Sequence, residues 1–106
     1  MKRSVSYKDL KIADLKDPEY AKVYLETAIE EYQKDGDKDA FLLALRDIAE
    51  AQGGITELSR KTNINRQSLY KSLSEHGNPT LDTLDTVLHS LGFRISVEPL
   101  ISNSTR

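Results

Sequence analysis

Residues 65 to 71, Asn-Arg-Gln-Ser-Leu-Tyr-Lys, bring together side chains that can read the edges of bases. Arg66 can donate a fork to guanine, Asn65 and Gln67 can donate and accept at adenine, and Ser68 can bond either. In a helix Lys71 stands one turn beyond Gln67 on the same face, where it can help them. Thr56, Arg60, Lys61 and Tyr70 lie where phosphate and sugar contacts would fall: Thr56 at a helix start, the two cations one turn on, and Tyr70 flanking the reading face. The competing reading is a solvated helix face whose charges serve solubility.

Other chemistry finds little support. His76 and His89 stand on opposite sides of the break at Gly77-Asn78-Pro79-Thr80, with no carboxylate or cysteine at metal-ligand spacing around them. Gly53-Gly54 follows no strand and reads as a helix stop, not a phosphate loop. Ser72 and Lys71 face different sides of a helix and make no nucleophile-base pair. No enzyme, cofactor or metal is expected.

The elements that must hold residues 65 to 71 follow from apolar spacing. Asp17-Pro18-Glu19 opens a helix with Ala21, Tyr24, Leu25, Ala28, Ile29 and Tyr32 on one face, and Gly36 closes it. Asp37 or Asp39 caps a second, from about Ala40 to Gln52, with Phe41, Ala44, Leu45, Ile48 and Ala49 inward. A short third, capped by Thr56, runs to about Lys61. Asn65 caps the fourth, Arg66 to about Glu75, anchored by Leu69 and Leu73. The corner at Asn63 needs a left-handed backbone, which Asn tolerates best after Gly. Thr80 or Asp82 opens the fifth, with Leu81, Leu84, Leu88 and Leu91 on its core face. After Gly92 the period falls to two: Phe93, Ile95 and Val97 alternate with Arg94, Ser96 and Glu98 as in a half-buried strand. Its partner is either "SVSYK", residues 4 to 8, or the same strand of a second copy, so Phe93, Ile95 and Val97 are candidate dimerisation residues.

One domain fits 106 residues. Residues 1–38 read as an N-terminal arm and helix, 39–92 as a helix-turn-helix unit and 93–106 as a C-terminal strand and tail. The chain has no cysteine, and no apolar run follows the basic start or reaches membrane-spanning length, which points to the cytoplasm. Net charge is −2, unevenly spread: residues 1–54 hold nine Lys/Arg against twelve Asp/Glu, and residues 55–78 four against two. A weakly acidic protein can bind phosphates through a local basic segment, since the attraction fades over a Debye length of about 8–10 Å.

The stretch "ELSRKTNINRQSLYKSLSEHGNPTLDTLDTVLHSLGFRISVE", preceded by "LKDPEYAKVYLETAIEEY" and "AFLLALRDIAEAQGGI", resembles the HigA-type family of addiction-module antidotes (antitoxins) within the lambda-repressor-like, Xre-type helix-turn-helix superfamily. The likeness spans roughly residues 10 to 98, and Asn63 replaces the usual turn glycine. It implies a mostly α fold, a lambda-repressor-like bundle of about five helices with one C-terminal β-strand. It also implies a homodimeric repressor of its own operon on a palindromic double-stranded operator, partnered by a RelE/HigB-like toxin. The acidic N-terminal half, with Glu19, Glu26, Glu30, Glu31, Asp35, Asp37 and Asp39, would complement a basic toxin. Alternatives are a stand-alone Xre-type regulator without a toxin and an interaction adaptor that does not bind DNA.

Overall fold

Most helix boundaries are set by a bond that the sequence supplies locally. The structure, a computed structural model, describes the backbone of residues 7–100 and the side chains of residues 11–100. Asp17 accepts from the Glu19 N–H at 3.1 Å and Pro18 enters the first turn, so α2 (Pro18–Asp35) starts there. It stops at Gly36, whose φ of 74° turns its N–H onto the Tyr32 carbonyl at 2.7 Å. Asp37 caps α3 (Lys38–Ala51) by accepting from the Asp39 N–H at 3.0 Å. Asn65 and Thr80 cap α5 (Arg66–Leu73) and α6 (Leu81–Ser90). At α4 (Ile55–Thr62) the expectation fails by a residue or two: Gly54 holds the cap position and makes no side-chain bond, and Thr56 lies inside the first turn.

An additional helix, α1 (Tyr7–Asp14), precedes these. Its large aliphatic residues are Leu10 and the half-buried Ile12, with Leu15 just beyond it at 1% exposure, too sparse against the surrounding charges to read as a helical stripe. It packs on α3, and Lys11 lies over the Tyr24 ring at 5.3 Å from its centre.

α3 is the axle of the molecule. Leu42, Ala44, Leu45, Ile48, Ala49 and Ala51 are buried on it, and α1, α2, α4 and α5 all pack against it. The core is one cluster from Leu15 to Leu91. Two polar groups brace it. The Tyr24 hydroxyl donates to Oδ2 of the buried Asp47 at 2.7 Å, and Gln52 Nε2 donates to the Leu91 carbonyl at 2.9 Å, tying the end of α3 to the end of α6. A hydrogen-bonded carboxylate is tolerated inside where a bare one would not be.

Three parts of the expected core stay open. Ile29, Tyr32 and Leu81 are 40%, 46% and 71% exposed, because α2 and α6 do not close on each other. They line, with Phe41, Leu84, Phe93 and Ile95, an apolar groove of about 790 Å³.

The C-terminal strand is not formed: among the described residues there is no strand. Phe93 is half-buried and its N–H reaches the Leu88 carbonyl at 2.8 Å, but Ile95 is 43% and Val97 92% exposed. Of the in-chain partner, residues 4–6 lie outside the described residues, and Tyr7 and Lys8 belong to α1. A strand exists only as half of a ladder, and no described segment supplies the other half.

Candidate nucleic-acid interface

The corner between α4 and α5 is held by its own side chains. Asn63 takes the left-handed conformation, φ 63°, and its N–H donates to the Ser59 carbonyl at 2.9 Å. Thr62 Oγ1 donates to the Leu58 carbonyl at 2.8 Å and accepts from the Ile64 N–H at 3.2 Å, while Ser59 Oγ donates to the Ile64 carbonyl at 2.6 Å. Every polar residue of "SRKTNIN" that faces the corner thus fixes its angle. Leu58, Leu69 and Leu73 are buried beneath it, at 2%, 0% and 0% exposure.

With Leu69 and Leu73 pinned inward, α5 must turn Arg66, Gln67, Tyr70 and Lys71 outward. All four are exposed, Tyr70 at 67%, and Ser68 is exposed beside them. Asn65 Oδ1 accepts from the Gln67 and Ser68 N–H groups at 2.8 and 3.1 Å, so its acceptor is spent on capping and only its amide donors remain for a base. Thr56, Arg60 and Lys61 are exposed on α4. Across α4 and α5, four Lys/Arg stand against the single acid Glu57.

That acid is placed to matter. Arg60 Nε donates to Glu57 Oε1 at 3.0 Å and its Nη2 to Oε2 at 2.5 Å, a two-pronged pair on the helix surface. The Arg60 hydrogen bond holds the Glu57 carboxyl below its ordinary range, and Glu57 raises Arg60 in turn. As it stands, Arg60 is therefore committed within the protein.

Sequence reading missed the supports of α5. The Arg46 guanidinium, from α3, donates to the Leu73 carbonyl and so caps the C-terminus of α5. The following loop is pinned by Asp39, which accepts from the His76 N–H at 2.7 Å and pairs with His76 Nδ1 at 3.0 Å. These partners lie 27 and 37 positions apart, beyond any local pattern. Asp39, Glu75 and His76 bring ligand-type atoms within 4.8 Å of one another, but Asp39 spends both oxygens on His76, which makes the group a loop clamp. Phe93, Ile95 and Val97 lie on the C-terminal segment, apart from this face; Phe93 and Ile95 border the groove.

No helix among the described residues is long and apolar enough to cross a membrane. A family model described as "probable addiction module antidote protein" matches residues 6–99. An uncharacterised protein of Haemophilus influenzae is 34% identical over 92 residues, covering 86% of this chain and 90% of its own. No solved structure matches. Helices α1 to α6 and residues 91–99 after them fall within the matched span, and the chain belongs to this family of addiction-module antidotes, which in general have a toxin as partner.

Proposed function

We propose that this antidote is also a sequence-specific DNA-binding repressor, close to the HigA type with an Xre-type helix-turn-helix, which represses its own operon as a dimer on a palindromic operator and neutralises a RelE/HigB-like toxin in the cytoplasm. The observation that carries the DNA reading is the outward face of α5, where Arg66, Gln67 and Lys71 project from a helix fixed at both ends by Asn65 and Arg46. A reading helix needs that rigidity, since a base-edge fork tolerates little displacement. Arg66, Gln67, Ser68, Lys71 and the Asn65 amide read bases. Thr56, Lys61 and Tyr70 contact phosphate and sugar, joined by Arg60 where a phosphate competes with Glu57. The outer face of α2 suits a basic toxin: Glu26, Glu30 and Glu31 are exposed together with Val23, which is 57% exposed.

The test is binding to a duplex carrying the promoter upstream of the gene, measured against a scrambled duplex. Arg66→Ala and Gln67→Ala should each weaken specific binding by about 1–3 kcal/mol, roughly fivefold to 150-fold, with little change on the scrambled duplex. Equal loss on both duplexes would assign these side chains to phosphate. The net charge of −2 and the committed Arg60 favour a second reading, an adaptor that holds its toxin and leaves DNA alone. Absence of any shift at low salt, with the neighbouring gene product still co-purifying, would establish that reading instead.

A further inference from the structure

We propose that two copies of this chain join through residues 94–98, paired antiparallel across the two-fold axis with Ser96 on the axis, and that the ribbon so formed roofs the groove between α2 and α6. This rests on the dimeric repressor reading and goes beyond it by fixing the surface and the register.

Three observations meet at one place. Residues 94–100 make no backbone hydrogen bond to any other described residue, yet their side chains alternate with the period of a strand. Ile95 and Val97 are 43% and 92% exposed, although apolar alternation on a strand marks a face meant to be covered. Beside them lies the groove lined by Leu25, Ile29, Tyr32, Phe41, Leu84 and Phe93. Strand and groove belong to the same patch, and an isologous interface requires a patch that complements itself.

The sequence selects the register. Facing residues in an antiparallel pair point to the same side, so a two-fold axis through the ribbon must fall on a residue and not between two. An axis on Arg94 sets two arginines opposite each other. An axis on Ile95 faces Arg94 with Ser96, and one on Val97 faces Ile95 with Pro99, which cannot donate to a ladder. With the axis on Ser96, Arg94 of each copy meets Glu98 of the other, and Ile95 meets Val97, both twice by symmetry. Unlike charges and β-branched pairs are favourable, and of these registers this one alone sets Arg94 opposite an acid and Ile95 opposite Val97. It also explains the exposure of Val97, 92% in the single chain. Ile95 borders the groove, and the side chain facing it shares its side of the ribbon, so the second copy's Val97 comes to rest above the groove.

The chain has no cysteine, so one substitution installs one thiol. Ser96→Cys should oxidise to a covalent dimer, since residues facing each other across the axis have Cα atoms about 4.5–5.5 Å apart, within disulfide reach. Arg94→Cys or Glu98→Cys alone should not, because each lies about 13 Å along the ribbon from its own copy, but a mixture of the two should. Arg94→Glu and Glu98→Arg should each raise the dimer dissociation constant about tenfold, and the double variant should restore it. A protein that is dimeric by light scattering while Ser96→Cys stays uncoupled overturns the register and surface and leaves the dimeric repressor standing. A monomer at micromolar concentration that fails to bind the palindrome overturns both.

Discussion

On the α4–α5 edge proposed to face DNA, Glu57 is the acid that would oppose a phosphate, and its placement gives that proposal a measurable consequence. It lies one turn before Arg60, in the orientation that favours an acid and a base on one helix face, and it accepts from two guanidinium nitrogens. A phosphate must displace this carboxylate before Arg60 can serve it. Glu57→Gln should therefore tighten binding to any duplex and steepen its salt dependence by about 0.9 in log–log slope for each half-site, because one more cation becomes available. Titration of binding against sodium chloride checks this, and an unchanged slope would mean that Arg60 never reaches the backbone. pH does not replace the mutation. The Glu57 carboxyl titrates below its ordinary value, so the pair is intact above the normal carboxylate range and is lost only as pH falls through that lowered value. Near neutrality the variant alone releases Arg60. At this scale the sequence was informative about what each side chain could do and silent about what it was already doing. Arg66, Gln67 and Lys71 are open as expected, because apolar spacing alone fixes which side of α5 faces out. The cap expected at Asn65 is made, and it carries a consequence for reading: the oxygen that holds the Gln67 and Ser68 N–H groups is not available to a base.

Helices α4 and α5 were legible because their determinants are short-range: a residue tolerant of positive φ at Asn63, a cap at Asn65, and leucines one turn apart. The loop after α5 was legible only as a break. It folds back on the end of α5, and Gly77 permits this: a Cβ there would stand 2.1 Å from the Ser72 carbonyl oxygen and 2.9 Å from that of Lys71. Both oxygens belong to backbone and cannot swing aside. Gly77→Ala should force the loop off the end of α5, straining the Asp39 to His76 clamp and lowering stability by about 1–3 kcal/mol. Thermal unfolding would register the loss, and operator affinity should fall with it if the Arg46 cap is disturbed as well. A wild-type melting temperature in this variant would mean that the loop has a second way to pass. α1 and the C-terminal segment were misread for a common reason. Each turns on a surface distant in sequence: α3 supplies one for the first, and no described segment supplies a second strand for the other, which a window of sequence cannot reveal.

At the scale of the molecule, charge and size decide how the proposed operator binding would work. The chain carries −2, concentrated toward the acidic first half, so a DNA duplex attracts only the α4–α5 edge and repels the α2 side. α5 is eight residues long, about 12 Å, so as the proposed reading helix it would span only a few base pairs. One such helix cannot single out an operator. Two related by a two-fold axis can, provided both face the major groove at once, which requires half-sites separated by about 34–36 Å or a multiple of one helical turn. Inserting about five base pairs between half-sites would rotate one of them to the far side of the duplex, and binding should fall to the affinity of a single half-site. Inserting a full turn should restore part of it, limited by how far the dimer can open. If the five-base-pair insertion left affinity unchanged, each protomer would be reading DNA alone. The acidic surface that repels DNA would then face solvent or toxin on every bound copy, and repression would depend on protein concentration without cooperativity.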